Sequence, residues 1–191
     1  MGNKIRSEKN IFCIETELDV DLLKESTSKH FLEQLHNFSE GKIKYIYRRC
    51  GTIEELEFYF NKLKYKKYAS YSIVYFSSHG FKNSVIVGSK KINLQSFENL
   101  VGNSLSGKLL HFGGCETMKI TKPQRRQFFK ETGVSAMSGF TKDVSFIEAA
   151  ALELLFFDRI RDFKSIRGLE KKMIKDYPGL VKSTGFKIYY D

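Results

Sequence analysis

Two apolar segments, each ending in glycine beside a reactive side chain, constrain the fold of this chain most. The first, 71–80, reads YSIVYFSSHG, and the second, 108–115, reads KLLHFGGC. Runs of β-branched and aromatic residues halted by glycine are typical of buried strands. Because the carboxyl ends of parallel strands line the ligand crevice of an open sheet, we expect His79 and Cys115 to lie at that edge.

Strand and helix signals alternate along the chain, which predicts an α/β architecture with a mostly parallel sheet covered on both faces. Besides the strands that carry His79 and Cys115, we expect strands at 11–15, 43–47, 134–138 and 186–190 and a hairpin arm at 84–87. Helices are expected at about 21–38, from a capping box at 52–55, around 94–101, from residue 121, at 145–157 and at about 165–175. The helix through 149–157 is apolar nearly all round and should be the most buried.

Length and composition fit a single domain over residues 1–191. A chain of 191 residues with 41% hydrophobic content can bury a sizeable core. No Gly/Ser-rich linker and no repeat period is visible. No apolar run reaches the roughly 18 residues of a spanning helix, and the N-terminus lacks the apolar core of a signal peptide. We therefore expect a soluble, cytoplasmic protein without a membrane span.

The cysteine content indicates a reducing compartment. Cys13, Cys50 and Cys115 are odd in number and far apart, which argues against a disulfide framework. Cys13 lies in a strand-like run and is expected to pack as a small hydrophobe, and Cys50 precedes a turn. No close ligand pair such as C-x-x-C is present, so no zinc site is expected.

The chain is strongly basic, with 32 Lys and Arg against 22 Asp and Glu and a net charge of +10. The charge is spread along the sequence rather than concentrated. Its densest patch, 62–68, mixes Tyr with Lys and could stack on single-stranded nucleic acid. A solvated helix end, where cations complement the macrodipole, explains the patch better. No specific nucleic-acid partner is therefore expected.

His79 and Cys115 together could form a nucleophile with its base. They lie 36 residues apart, which permits one crossover between neighbouring strands. An imidazole within hydrogen-bond reach lowers a thiol pKa and can protonate a leaving amine. The N–H groups of Gly80 and Cys115 are candidate oxyanion donors, and Gly113 leaves room for a peptide. From the residues alone, a buried histidine with one hydrogen bond and a space-filling cysteine remain an equal alternative.

The run Ser-Ser-His79-Gly80, then Gly-Gly-Cys115-Glu-Thr, then a strand ending Ser-Gly-Phe140 and an Ala-rich helix, resembles the caspase-like cysteine peptidases. This superfamily includes caspases, gingipains, legumains, separases and bacterial CHAT domains, and the chain is most similar to small bacterial CHAT-like members. The resemblance implies a caspase-hemoglobinase fold, a three-layer sandwich around a mostly parallel six-stranded sheet. It also implies cofactor-independent endopeptidase activity, with His79 as general acid–base, Cys115 as nucleophile and the Gly80 and Cys115 amides as oxyanion hole.

The sequence departs from caspases around the thiol, where Gly-Gly-Cys-Glu-Thr replaces Gln-Ala-Cys-x-Gly, so specificity for aspartate does not carry over. In the superfamily the specificity pocket draws on the end of the first strand, the residues before the cysteine and the segment after the fifth strand. Those positions offer Glu15, Glu17, Gly113 and Asp143 here. An acidic pocket would favour Arg or Lys at the cleaved position. Equally, Asp143 could only cap the next helix, and the two glutamates could be solvated.

Two functions follow as hypotheses. The first is a cysteine endopeptidase that cleaves a specific protein and is controlled by a regulatory protein partner, by oligomerisation or by its substrate. Association with related proteins suggests bacterial antiviral or cell-death defence. The alternative is a catalytically silent α/β interaction module that binds protein or an anionic polymer through its basic surface. An alkylation-prone Cys115 favours the enzyme, and an inert one favours the module.

Overall fold

The computed structural model describes residues 8–16 and 27–190, in which strands and helices alternate as the sequence predicts. The strands are β1 (Ile11–Thr16), β2 (Tyr45–Cys50), β3 (Ile73–Ser77), β4 (Gly80–Phe81), β5 (Ser84–Val87), β6 (Lys90–Asn93), β7 (Leu109–Phe112), β8 (Ala136–Phe140) and β9 (Phe186–Tyr189). The helices are α1 (Thr27–Phe38), α2 (Ile53–Lys62), α3 (Leu94–Val101), α4 (Lys122–Thr132), α5 (Phe146–Arg159), α6 (Ile166–Asp176) and α7 (Pro178–Thr184). Of the first predicted helix, residues 21–26 lie outside the described part.

The central sheet has six strands in the order β2-β1-β3-β7-β8-β9. All neighbouring pairs are parallel except β8 and β9, which are antiparallel. The predicted α/β fold with a mostly parallel six-stranded sheet is confirmed, as is an edge position for the last strand. After β2 the chain crosses over β1 to form β3, so the order reverses there. Open sheets bind ligands outside the carboxyl ends of the strands at such a reversal.

Helices cover both faces of the sheet and create two apolar cores. The core on one face receives side chains from α2, α3 and α4, namely Leu56, Phe60, Phe97 and Phe128. The core on the other face receives side chains from α1, α5 and α6, namely Leu32, Phe156, Phe157 and Leu169. Strands with both faces buried read as continuous apolar runs, which explains the composition of β1, β3 and β7.

The capping motifs predicted from the sequence lie at the starts of helices in the structure. Thr52 and Glu55 form a capping box at the start of α2, and Thr121 and Gln124 form another at α4. Ser145 caps α5 and accepts a hydrogen bond from the Glu148 N–H. The first turn of α5 precedes the apolar run 149–157, and there Phe146 and Ile147 are 61% and 79% exposed.

The structure corrects two local predictions and adds one helix. The second strand begins at Tyr45 rather than Ile43, because Ile43 is tied to the end of α1: its N–H donates to Ser39 Oγ and its carbonyl contacts His36 Nδ1. The segment after His79 is a three-stranded sheet, β4-β5-β6, rather than one hairpin arm. Helix α7 was not predicted; its seven residues are too few to show a clear helical period.

The basic patch at 62–68 follows the end of α2. Lys62 lies in the last turn of that helix, and its Nζ is 4.6 Å from the centroid of the Phe58 ring and 5.3 Å from that of Tyr65. The lysine thus interacts with aromatic rings of its own chain. Within the described ranges, no helix combines the length and apolar character that crossing a membrane requires.

Gly139 lies inside β8 with a φ of +150°, a conformation that side-chain-bearing residues rarely adopt. A Cβ added there would lie 2.5 Å from the Phe112 carbonyl oxygen of β7. We predict that Gly139→Ala lowers the free energy of unfolding by about 2–4 kcal/mol, because backbone strain and a steric clash add. Urea denaturation followed by circular dichroism measures this.

Gly179 provides the matched control, because it lies in α7 and a Cβ there would meet no atom within 4 Å. Gly179→Ala should leave the free energy of unfolding unchanged or raise it by up to about 1 kcal/mol. Equal effects of the two substitutions would contradict the packing described for β7 and β8.

Candidate functional site

His79 and Cys115 leave the sheet at the same edge, because the strands that precede them are neighbours. β3 and β7 pair in parallel from Ile73 opposite Leu109 to Phe76 opposite Phe112. The ladder continues one step further, since the Gly113 N–H donates to the Phe76 carbonyl at 3.0 Å. His79 follows the end of β3 by two residues, and Cys115 follows the end of β7 by three.

The backbones of the two strand tips are in direct contact. A Cβ added to Gly80 would lie 2.3 Å from the Cys115 carbonyl oxygen and 2.3 Å from Thr117 Oγ1. A Cβ added to Gly114 would lie 2.8 Å from the Ser78 carbonyl oxygen and 2.9 Å from Gly80 Cα. Real Cβ atoms do not approach other atoms so closely. Glycine at both positions is therefore what allows the histidine tip and the cysteine tip to meet.

Both reactive side chains line one cavity of about 170 Å³ at this edge of the sheet. Cys115 is half-buried, whereas Cys13 and Cys50 are buried, and His79 is exposed. The remaining wall is mostly apolar and aromatic and comes from α1, β3, β8, α5 and the loop before α5; it includes Phe31, Tyr75, Phe140, Val144, Phe146, Ala149 and Ala150. A concave apolar site with few polar groups is typical of ligand-binding pockets.

The environment of Cys115 favours the protonated thiol. Burial raises the pKa of Cys115, and the nearby carboxylate of Asp143 raises it further. The Sγ also donates to the Val144 carbonyl oxygen at 3.7 Å. The backbone of Val144 lowers the pKa, but by less than burial raises it. The loop 143–144 therefore holds the thiol as a hydrogen-bond donor.

Asp143 does not cap α5, because Ser145 occupies that position. Asp143 is exposed and does not form part of the cavity wall, but it is near enough to Cys115 to raise the pKa of the thiol. Gly113 does line the cavity, and a Cβ there would lie 2.9 Å from the Tyr75 ring. Among the predicted site residues, the cavity thus brings together His79, Gly113 and Cys115.

Within the described residues, Glu15 is buried and hydrogen-bonded, and it does not line the cavity. It is 2% exposed, its Oε1 accepts from the Ser28 N–H at 3.2 Å, and its Oε2 accepts from the Tyr47 hydroxyl at 2.6 Å. The carboxylate therefore joins β1 to β2 and α1. Glu17, the other carboxylate expected from this part of the chain, lies outside the described residues.

Sequence reasoning missed a buried polar network below the cavity. Glu153 of α5 accepts from His111 Nε2 at 2.9 Å and from the Tyr75 hydroxyl at 2.9 Å, and His111 Nδ1 lies 2.9 Å from Ser138 Oγ. His111 is fully buried, as expected for a core residue, but its partner was not predicted. A signal existed: Glu153 is the lone charge in the apolar run Ala149–Phe157. A lone carboxylate on the core side of such a helix requires a buried partner.

Metal binding finds no support in the described ranges, since 8–16 and 27–190 contain no group of three or more His, Cys, Asp or Glu side chains arranged to hold an ion. Glu153, which lines the cavity, is already hydrogen-bonded to His111.

Comparisons with known proteins support the fold and show the family. The search of curated proteins found no match. Among solved structures, the crystal structure of the Drosophila initiator caspase Dronc is similar, with a TM-score of 0.59 over 98% of this chain and 81% of that chain. Sequence identity is 8%, so this likeness concerns the caspase-like fold alone. The sequence profile of DUF6642, a family of unknown function, matches residues 8–190, and the chain therefore belongs to that family.

Proposed function

We propose that this chain is a cysteine endopeptidase in which Cys115 is the nucleophile and His79 the general acid–base. The observation that carries the proposal is the contact between the two strand tips at Gly80 and Gly114, which places both side chains on one cavity. A caspase-like fold, at whose sheet edge they lie, supports the same assignment.

The proposed reaction needs only groups of this chain and water. His79 takes the proton of the Cys115 thiol, and Sγ attacks the carbonyl carbon of the substrate peptide bond. The negative oxygen of the tetrahedral intermediate accepts hydrogen bonds from the Gly80 and Cys115 amides. The C–N bond then breaks as His79 returns the proton to the leaving amine. Water, deprotonated by His79, hydrolyses the thioester and releases Cys115.

The raised pKa of Cys115 fits an enzyme that is restrained until its substrate or a partner binds. A thiol is a poor nucleophile, and burial and the Asp143 carboxylate both favour the protonated form of the sulfur. Movement of the loop 143–144 away from the sulfur would release it to His79. A protein substrate or a regulatory protein partner that displaces this loop would therefore increase activity.

The proposal has two finer parts that rest on the resemblance to the caspase-like cysteine peptidases. One is an acidic specificity pocket, to which Asp143, Glu15, Glu17 and Gly113 correspond by position, and which would favour a basic residue at the cleaved bond. The burial and hydrogen bonds of Glu15 favour Asp143 over Glu15 in that role. The other is a role in antiviral or cell-death defence, executed by cleavage of one protein partner.

Cleavage of a diverse peptide library tests the proposal. We predict that the wild-type chain cleaves a subset of peptides, that Cys115→Ala abolishes cleavage, and that His79→Ala slows it by at least about 100-fold because proton transfer is lost. Mass spectrometry of the new termini measures the reaction, and thermal unfolding verifies the fold of each variant.

Cys50→Ser is the matched control, because Cys50 is buried away from the cavity and a serine hydroxyl can replace its Sγ as donor to the Thr52 carbonyl. This variant should cleave at the wild-type rate. Cleavage that persists in Cys115→Ala would refute the nucleophile. A wild-type chain that cleaves nothing, with Cys115 inert to electrophiles, would instead favour the silent interaction module.

Alkylation kinetics test the environment of Cys115. Iodoacetamide should modify Cys115 and spare the buried Cys13 and Cys50, with an inflection in the pH profile above that of an ordinary thiol because the pKa is raised. Asp143→Asn removes the nearby charge, so the inflection should move to lower pH and the rate at pH 7 should rise about threefold. Mass spectrometry of the intact protein and its peptides follows the reaction. An unchanged profile in Asp143→Asn, or equal labelling of all three cysteines, would contradict the geometry.

A further inference from the structure

The cavity beside Cys115 contains a carboxylate deep in its wall, that of Glu153 on α5. The side chain is 5% exposed and is held from two sides, by His111 Nε2 and by the Tyr75 hydroxyl. It also approaches the cysteine tip, since a Cβ on Gly113 would lie 3.2 Å from Glu153 Oε1. The position and orientation of this carboxylate are therefore fixed relative to Cys115.

Two donors do not exhaust the hydrogen-bonding capacity of Glu153. An ionised carboxylate offers about four acceptor sites on its two oxygens. His111 takes one on Oε1 and Tyr75 takes one on Oε2, both at 2.9 Å. Each oxygen thus retains a lone pair, and Glu153 belongs to the cavity wall, where a ligand can reach it.

Among the described residues, no Lys or Arg lines the cavity around the Glu153 carboxylate. The side chains that hold it are an imidazole and a phenol, and a serine hydroxyl faces the other ring nitrogen of His111. Burial and the Glu153 carboxylate raise the pKa of Tyr75, which keeps the phenol protonated as a donor. A carboxylate in a cavity wall without Lys or Arg favours a cationic ligand.

The rest of the cavity suits a long side chain with a cationic end. Phe31, Phe140, Ala149 and Ala150 offer apolar surface for a methylene stem. Ser78, also in the wall, has a buried hydroxyl without a hydrogen-bond partner among the described residues. A guanidinium group has five N–H donors and could serve both this hydroxyl and the carboxylate.

We propose that Glu153 is the specificity-determining residue of this cavity and selects a substrate arginine, or less strongly a lysine, at the cleaved position. The inference rests on the proposed peptidase function, because only a peptidase has a cleaved position. It assigns to Glu153 the specificity role for which Asp143, Glu15 and Glu17 were the candidates by position. Asp143, at the nucleophile, then acts on the thiol pKa rather than on specificity.

Binding of two isosteric probes tests this inference without requiring catalysis. Acetyl-arginine methylamide and acetyl-citrulline methylamide have nearly the same shape, but only the first is charged. Both are titrated into full-length Cys115→Ala protein, with ligand-observed NMR as the readout. The arginine probe should bind at least about tenfold more tightly, because a charge-assisted hydrogen bond is made in a partly desolvated site.

Variants in the same background then locate the charge. Glu153→Gln should remove the difference between the probes, and its amide is accommodated if His111 changes tautomer. Glu148→Gln removes the same charge from the same helix outside the cavity wall and should preserve the difference. Ala150→Phe fills the cavity without altering the carboxylate and should abolish binding of the arginine probe, which keeps the test decisive if Glu153→Gln does not fold.

Three results would overturn the inference: equal or absent binding of the two probes, a difference that survives Glu153→Gln, or arginine binding that survives Ala150→Phe. A difference lost in Asp143→Asn but kept in Glu153→Gln would assign the specificity to Asp143 instead. Failure of the peptidase proposal can be distinguished from failure of this inference. A chain that binds the arginine probe through Glu153 but cleaves no peptide would contradict the proposed reaction and still support the binding site.

Discussion

The candidate site depends on one steric constraint, the contact between the backbones that follow β3 and β7. Gly80 and Gly114 face each other so closely that a Cβ on either would overlap backbone atoms of the other tip. The parallel register of β3 and β7 brings the tips to one edge, and the two glycines let them touch. His79 and Cys115 share a cavity because of this contact, whereas the residues between them in sequence form the separate small sheet β4-β5-β6.

A second constraint acts from below the cavity, where Glu153 joins α5 to the sheet through His111 and Tyr75. Such a network is strongly favoured only when every member is satisfied, because an unpaired buried polar group costs about 1–3 kcal/mol. The same carboxylate lies in the wall of the cavity. One buried group therefore links the packing of the most apolar helix to the chemistry proposed for the site.

The sequence predicted what depends on local pattern and missed what depends on long-range pairing. Apolar runs ending in glycine identified the strands before His79 and Cys115, and capping motifs located α2, α4 and α5. The roles of the carboxylates could not be derived in this way. Glu15 is bound by Tyr47 and Ser28, and Glu153 by His111 and Tyr75, all distant in sequence. The start of β2 was misplaced for a different, local reason, since the N–H of Ile43 donates to Ser39 just after the end of α1.

A crystal structure of the protein alkylated at Cys115 by a peptidyl-arginine chloromethyl ketone tests the central claim most directly, namely that the two strand tips form one catalytic site. The account predicts an adduct on Sγ, a ring nitrogen of His79 within hydrogen-bond reach of the reacting atoms, about 2.6–3.2 Å, and the arginine side chain in the cavity toward Glu153. An adduct that leaves His79 further away than one bridging water can span would contradict it.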